Sequence, residues 1–272
     1  MNLNTILEVK RPGSSEQIGQ WREGYAWLAG GTWLFSEPQV ATSTLIDLDG
    51  LGWTPLVATA DGLEIAATCR IADLHAFKGP PAWRAVPLFH DCINAFLMSF
   101  KIAHEATVGG NICMSLPAGA MISLTTALEA VYTLWPRSGA LRKVPAIDFV
   151  TGNNRNILAP GELLRSIHIP ASALSKRFAL RHASLTHLGR SAALIVGTQD
   201  KSARDMLLTI TAATPRPVQM HFATVPTAAA LRRAIDERIP ADGYFDDVHG
   251  SADYKRHLTY HFAEQIRAEL AR

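Results

Sequence analysis

The stretch ATVGGNIC, residues 106–113, places two adjacent glycines after a Thr-Val step and before an asparagine. A similar pair stands upstream in LAGGTWLF, residues 28–35. Because glycine has no Cβ, its backbone can adopt positive φ and approach a ligand closely, and successive N–H groups in such a turn converge on an anion. Two such loops predict a site for the pyrophosphate of a dinucleotide, provided that the fold brings them together.

The spacing of the glycines excludes two common phosphate-binding motifs. Neither pair belongs to a GxGxxG or a GxxxxGK[ST] pattern, which argues against a Rossmann site and against a P-loop. In a chain with 19 glycines, a lone glycine pair is also typical of an ordinary tight turn. Spacing alone therefore leaves both interpretations open.

Composition indicates a globular chain with a substantial core. Of its 272 residues, 48% are hydrophobic and 18% are charged, and the formal net charge is +2. Such a chain divides most naturally into two or three domains, and its charge provides no broad basic field for nucleic acid. No apolar run approaches the roughly 18 residues of a membrane helix, and the first residues lack the layout of a signal peptide. We therefore expect a soluble, cytoplasmic chain without a membrane span.

The residues that usually hold metals follow no ligand pattern. Cys69, Cys92 and Cys113 lie far apart and form no CxxC, so the sequence predicts neither a disulfide framework nor a zinc or iron-sulfur site. The ten histidines form no HExxH. The sequence also contains no GxSxG nucleophile motif. We predict no metal ligand and no catalytic residue on this chain.

Hydrophobic patterning predicts alternating strands and helices without a regular βαβ repeat. YAWLAGGTWLF, residues 25–35, is predicted to be a strand that ends in a glycine turn. FHDCINAFLMSFKIAHE, residues 89–105, has the spacing of an amphipathic helix that leads to the second glycine pair. A strand is predicted to end at Pro170, where we place the domain boundary, and a Gly-Ser cap signal precedes a long C-terminal helix.

Several stretches, in this order, carry a family resemblance: LAGGTWLF, LIDLDGLGW, ATVGGNICMSLPAGA, GELLRSIHIP and HGSADYKRHL. Together they resemble the flavoprotein subunit of the molybdenum hydroxylases, the xanthine dehydrogenase and carbon monoxide dehydrogenase family. The resemblance spans nearly the whole chain, and ATVGGN is its most specific piece. It implies an α+β fold in which a two-part FAD-binding domain of the vanillyl-alcohol-oxidase type, residues 1–170, precedes a smaller α+β domain, residues 171–272.

The resemblance also implies where FAD is bound. Residues 28–35 become the first FAD loop and residues 107–111 the second, Leu164 matches a position against the cofactor, and Arg181 stands where the family usually has a lysine. The implied contacts are Leu28, Ala29, Gly30, Gly31, Thr32, Trp33, Leu34, Phe35, Thr107, Val108, Gly109, Gly110, Asn111, Leu164 and Arg181.

The chain departs from the family pattern at positions that bear on FAD. In LPAGA, residues 116–120, Leu116 replaces a serine and Ala120 replaces an aspartate that is expected to hydrogen-bond the cofactor. Ala103 and His104 replace the usual Arg-Asn pair upstream. We still expect FAD binding, because most of the implied contacts come from backbone groups.

The implied function is electron transfer within a larger enzyme. A flavin accepts two electrons and can pass them singly, which suits a centre between iron-sulfur clusters and a two-electron acceptor. With too few cysteines for clusters, the chain would need an iron-sulfur subunit with [2Fe-2S] clusters and a large molybdopterin-binding subunit, which would act on an aldehyde or an N-heterocycle. Two alternatives are a stand-alone flavin oxidase and a scaffold subunit that has lost its FAD.

Overall fold

A computed structural model describes residues 3–187, 189–200 and 204–272. The described residues form mixed sheets and helices, with sheets that are largely antiparallel, which confirms the α+β prediction. Short 3-10 turns span Glu16–Ile18, Leu48–Leu51 and Ala241–Gly243.

The first glycine pair follows a small parallel sheet. Its strands are β1 (Glu8–Lys10), β2 (Tyr25–Leu28) and β3 (Thr44–Asp47), and β3 lies in the middle. Because β2 ends at Leu28, Gly30 and Gly31 occupy the turn at its carboxyl end, as the sequence predicts.

A five-stranded antiparallel sheet forms the centre of the N-terminal half, in the order β4-β5-β10-β6-β7. Its strands are β4 (Leu56–Thr59), β5 (Gly62–Ala66), β6 (Val131–Trp135), β7 (Arg142–Pro145) and β10 (Leu163–Pro170). A separate hairpin contains β8 (Val150–Gly152) and β9 (Arg155–Asn156). The central strand β10 is mostly buried, which accounts for its run of apolar residues.

Six helices accompany these strands in the described chain: α1 (Ile71–Ala76), α2 (Pro87–Ala95), α3 (Phe100–Glu105), α4 (Val108–Cys113), α5 (Ala120–Ala127) and α6 (Ala146–Phe149). The prediction of a single helix over residues 89–105 is wrong, because the helical conformation is interrupted between α2 and α3. Ser99 adopts an extended conformation, and its hydroxyl accepts a hydrogen bond from Ile102 N–H (3.4 Å), which starts a new helix. The short α3 has no buried residue.

The second glycine pair lies inside α4, shortly after α3 ends. Thr107 is extended and caps this helix, since its hydroxyl accepts a hydrogen bond from Gly110 N–H (3.0 Å). A threonine cap can thus begin a helix even where two glycines follow.

The C-terminal part is a four-stranded antiparallel sheet with helices. After α7 (Ala171–Leu174), the strands run in sequence order: β11 (Arg177–Ser184), β12 (Ser191–Gln199), β13 (Met206–Thr211) and β14 (Val218–Phe222). Helix α8 (Ala228–Arg238) and the long α9 (Ala252–Leu270) follow. Ser251 caps α9 by accepting a hydrogen bond from Tyr254 N–H (3.3 Å), in agreement with the predicted cap signal.

Strand β12 is buried along its whole length and connects the two hydrophobic cores. Because side chains alternate across a strand, Leu194 and Val196 enter the core of the N-terminal half, whereas Ala193 and Ile195 enter a second core with α9. The boundary at residue 170 falls between β10 and α7 and stays a prediction.

Candidate functional site

Residues from both glycine pairs line one large cleft with a volume of about 800 Å³. The predicted site residues that line it are Ala29, Gly30, Gly31, Thr32, Trp33, Leu34, Thr107, Gly110 and Asn111. Such a volume lies within the range of small-molecule and cofactor sites. The tertiary structure thus brings together two loops that are far apart in the sequence.

The other predicted site residues lie outside the cleft lining. Leu28 is the last residue of β2, Phe35 packs its ring beside Gly31, and Val108 and Gly109 are buried behind the cleft wall. Leu164 is fully buried in the core. Arg181 forms an ion pair with Glu269 (2.7 Å) and also donates to Gln265 (2.8 Å), both on α9. A cofactor contact at these positions remains a prediction.

The first loop provides a row of backbone donors. Gly31 has a φ of +69° and accepts a hydrogen bond from Phe35 N–H (2.8 Å), which closes the turn. Within the described residues, the N–H groups of residues 30–34 donate to no backbone or side-chain acceptor. Unpaired N–H groups in such a turn form a concave site for an anion.

Gly30 allows the two loops to touch. A Cβ at Gly30 would lie 1.9 Å from the carbonyl oxygen of Glu105 and 3.1 Å from the Cα of Ala106. The backbone of the first loop therefore rests directly on the residues that lead into the second loop. Any side chain at this position would separate the two sides of the cleft.

In the second loop, the backbone N–H groups from Val108 to Asn111 already donate within the protein. Val108 N–H donates to Cys69 O and Gly109 N–H to Ala67 O, both at 2.9 Å. Gly109 faces the interior, where a Cβ would lie 2.5 Å from the Cβ of Ala67. Gly110 lines the cleft, and a Cβ there would approach only Thr107 Oγ1, at 2.8 Å. Gly109 thus serves packing, whereas Gly110 keeps the cleft surface free of a side chain.

Polar side chains complete the floor of the cleft. Asn111 Oδ1 accepts a hydrogen bond from Met121 N–H (3.1 Å), which leaves the Nδ2 donors of Asn111 without an acceptor in the described chain. The indole Nε1 of Trp27, a lining residue, is buried without a described partner. The Asn111 amide is therefore available to a polar ligand, whereas the Trp27 indole nitrogen is buried away from one.

A third segment, residues 113–119, forms the next wall. Ser115 has a φ of +52°, and its hydroxyl accepts a hydrogen bond from Asn156 Nδ2 (3.0 Å) of β9. Leu116 lines the cleft, whereas Ala120 is 1% exposed, belongs to the hydrophobic core and is absent from the lining. The two departures from the family pattern therefore occupy different environments.

Burial raises the pKa of the Cys113 thiol to about 12, so the thiol is protonated at neutral pH.

The wall opposite the first loop comes from the C-terminal part, which sequence reasoning missed. It contains Arg190, Ser191, Phe245 and the turn of residues 247–249. The guanidinium of Arg190 lies 5.6 Å from the centre of the Trp33 ring, across the cleft. Below the turn, fully buried Lys255 Nζ donates to Asp247 Oδ1 (2.8 Å), which also accepts from His249 N–H (2.8 Å). The stretch HGSADYKRHL carried the only sequence signal near this wall.

Metal-binding clusters and membrane-spanning helices are both absent from the described ranges. No group of three or more His, Cys, Asp or Glu side chains is arranged to hold a metal ion there. Among the helices of the same residues, none is long and apolar enough to cross a membrane.

Comparison with known proteins identifies the family. The family described as the FAD binding domain in molybdopterin dehydrogenase matches residues 7–172, more than half of the chain. The beta subunit of caffeine dehydrogenase from Pseudomonas sp. (strain CBB1) is 25% identical over 179 residues, 64% of this chain and 57% of that subunit. Xanthine dehydrogenase from Oryza sativa subsp. japonica is 31% identical over 121 residues, 40% of this chain and 8% of that protein. The chain thus spans less than two thirds of the length of these relatives.

Solved structures share the fold along almost the whole chain. A chain of carbon monoxide dehydrogenase from Hydrogenophaga pseudoflava superimposes with a TM-score of 0.77 at 22% identity, covering 96% of each chain. A chain of quinoline 2-oxidoreductase from Pseudomonas putida 86 gives a TM-score of 0.78 at 18% identity, covering 97% of this chain and 95% of the other.

Proposed function

Because the chain belongs to the FAD-binding domain family of the molybdopterin dehydrogenases, we propose that the cleft between its two glycine loops holds FAD for electron transfer. The observation that carries this proposal is the row of unpaired N–H groups at residues 30–34, in contact with the cleft. A pyrophosphate carries the negative charge that such a row favours.

The fit of FAD to the cleft can be argued from the chain's own groups. The N–H groups of the first loop would donate to the pyrophosphate, and the bare backbone at Gly110 would allow it to lie close to α4. Thr107 Oγ1 already accepts from Gly110 N–H, so its hydroxyl proton remains to be donated. Asn111 Nδ2 is a further donor. The two loops would thus have different roles: donors from the first and surface from the second.

Partner subunits belong to the same proposal. Bound FAD supplies a centre that takes up two electrons and releases them one at a time. A cysteine-ligated [2Fe-2S] cluster needs four thiolates, and this chain has three widely separated cysteines. We propose that electrons reach the cleft from an iron-sulfur subunit, that a molybdopterin-binding subunit oxidises the substrate, an aldehyde or N-heterocycle, and that an external acceptor receives the electrons.

Exposed apolar residues near the mouth of the cleft, which we call the rim, support a partner there. Leu97 and Val248 line the cleft and are 47% and 88% exposed, and Phe100, on α3, is 73% exposed. An exposed apolar group of this kind, next to a cofactor site, is typical of a surface that a partner covers. The iron-sulfur subunit is the partner that must approach the cofactor closely.

The experiment is FAD titration of the purified chain, followed by its flavin absorbance. We expect stoichiometric FAD, with Kd raised about tenfold or more in Gly110→Ala. Gly152→Ala is the matched control, since a Cβ at Gly152 would meet only ordinary contacts with Arg155. A chain that binds no FAD after titration would support the scaffold alternative, which the presence of Leu116 in the lining favours.

A second measurement tests the electron-transfer role. The chain is co-expressed with the proposed iron-sulfur and molybdopterin subunits, and flavin absorbance is followed after addition of the complex's substrate. We expect bleaching of the flavin in the complex and no substrate oxidation by the isolated chain. Steady turnover by the isolated FAD-loaded chain would contradict the proposal and support a stand-alone oxidase.

A further inference from the structure

A second cleft, with a volume of about 700 Å³, lies at the other end of β12 from the FAD cleft. Ser191, the first residue of β12, lines the FAD cleft, whereas Gln199, its last residue, lines the second one. Eight steps along a strand cover about 27 Å at roughly 3.4 Å per residue. The second cleft is therefore a separate site.

Arginines dominate this second cleft. Its described lining contains five of them, from the loop before α2, from β11, from the approach to β13 and from the end of α9: Arg84, Arg177, Arg204, Arg267 and Arg272. Asp200 is the one acidic side chain in the described lining. We call this site the arginine cleft.

Most of this positive charge is not neutralised within the described chain. Arg267 is paired with Glu264 through two hydrogen bonds of 2.7 Å, so its charge is balanced. Arg177, in contrast, donates to neutral acceptors, the side-chain oxygen of Gln199 (2.6 Å) and the carbonyl oxygen of Leu270. Arg84 and Arg204 are exposed, and their side chains contact no acceptor among the described residues.

Other negative groups offset only part of the excess. The carboxyl end of α9 contributes about half a negative charge. A free carboxylate at Arg272 would add one more at most. Charged groups of one sign that converge on a concave surface attract and concentrate ions of the opposite sign. The arginine cleft therefore remains positive overall.

We propose that the arginine cleft binds a small, multiply charged phosphate-type anion. Guanidinium groups present a planar fork that matches phosphate oxygens in two parallel hydrogen bonds. The volume of the cleft fits a small molecule. Its described lining contains no aromatic side chain on which a nucleobase would stack, so the phosphate groups are the recognised part.

Calorimetric titration of the FAD-loaded protein with inorganic pyrophosphate tests this proposal, because bound FAD keeps the probe out of the first cleft. At an ionic strength of about 0.15 M, we expect saturable binding of one pyrophosphate. In Arg84→Ala/Arg204→Ala, Kd should rise about tenfold or more. Both side chains are exposed and unpaired, so FAD content and the unfolding temperature should stay unchanged in this variant.

Two controls separate a built site from general charge attraction. Arg233→Ala/Arg238→Ala removes the same charge from the exposed face of α8, outside the arginine cleft, and should leave pyrophosphate binding unchanged. Citrate, a carboxylate anion of similar charge, should bind more weakly than pyrophosphate. Equal losses in the two double variants, equal binding of citrate, or no saturable binding of pyrophosphate would each overturn the proposal.

Discussion

The four glycines of the two pairs have different structural roles, although the two pairs look alike in the sequence. Gly30 accommodates the carbonyl oxygen of Glu105, and Gly31 provides the positive φ of the first turn. Gly109 packs against Ala67, whereas Gly110 alone among the four keeps a cleft-lining surface bare with only a hydroxyl nearby. Substitution should therefore separate effects on folding from effects on binding.

Replacement of Gly30 and Gly110 by alanine should show this separation. In Gly30→Ala, the new Cβ overlaps a backbone oxygen that no rotamer change can move, so we expect a loss of about 1–3 kcal/mol in the free energy of unfolding. In Gly110→Ala, rotation of Thr107 away from the new Cβ weakens its cap on α4, but the helix gains a better helix former, so stability should change by less than about 1 kcal/mol.

Urea unfolding of the FAD-free proteins, together with FAD titration, measures the two effects. Gly110→Ala should lose FAD affinity at nearly unchanged stability, whereas Gly30→Ala should lose both. Equal destabilisation of the two variants would contradict the roles that we assign to these glycines.

Lys255 stabilises the cleft wall from below. Its side chain is fully buried and pairs with Asp247, which is 22% exposed. Removal of one partner of a buried pair typically costs about 3–5 kcal/mol, and the partial exposure of Asp247 should reduce this to about 2–3 kcal/mol in Lys255→Met. Thermal or urea unfolding measures the loss. In Lys255→Met/Asp247→Asn, which leaves no unpaired charge, part of the stability should return; a double variant less stable than Lys255→Met would contradict this account.

Among the elements, β12 and α9 form a close contact across the second core. A Cβ at Gly197 of β12 would lie 2.3 Å from Ile266 Cγ2 and 2.9 Å from Leu270 Cδ1, both on α9. The absence of a side chain at Gly197 therefore sets how closely the helix approaches the sheet. Since Lys255 stands on the same helix, the position of α9 also determines the position of the cleft wall.

Gly197→Ala should accordingly push α9 outward and destabilise the protein by about 1–3 kcal/mol. Ile266→Ala, alone, should also be destabilising because it leaves a cavity. In the double variant, the alanine at residue 197 occupies space that Ile266 has vacated. The loss in the free energy of unfolding of the double variant should therefore be smaller than the sum of the losses of the two single variants. A double-mutant cycle by chemical denaturation provides the test, and strict additivity would show that the two residues do not limit each other.

At the scale of the whole molecule, the cleft is lined by several parts of the chain that are far apart in sequence. The first loop, the stretch from α4 to α5, and residues 190–191 with 245–249 meet at one surface. Pro117 O accepts a hydrogen bond from Ala212 N–H (2.8 Å), so the N-terminal and C-terminal parts are also joined directly beside the cleft. The exposed apolar residues of the rim, Leu97, Phe100 and Val248, lie at or beside this surface.

If the rim is the docking surface of the iron-sulfur subunit, Phe100→Ser should weaken assembly without affecting FAD. Phe100 is 73% exposed, so stability should change by no more than about 0.5 kcal/mol. Leu141→Ser, at an apolar residue that is 57% exposed and outside the cleft lining, serves as the control. Co-purification measures assembly; the same yield of complex from both variants would place the partner elsewhere.

Local patterns in the sequence predicted many of the elements correctly. The strand before Gly30, the strand that ends at Pro170 and the Ser251 cap of α9 follow from apolar alternation and from capping residues, which act within a few positions of the chain. The break between α2 and α3 was missed because Ser99 caps a helix in the middle of a continuous apolar pattern. At this point the apolar pattern favours one continuous helix, whereas the capping serine favours the start of a new one.

The sequence by itself determined the α+β class, the family and the two glycine loops, because short-range propensity and motif order carry this information. Only the tertiary structure decided the role of each glycine. Those roles depend on Glu105 and Ala67, which are far from Gly30 and Gly109 along the chain. It also placed Arg190 opposite Trp33 and gathered the arginines at the far end of β12. Such contacts arise from how the sheets and helices pack, and no short stretch of sequence encodes them.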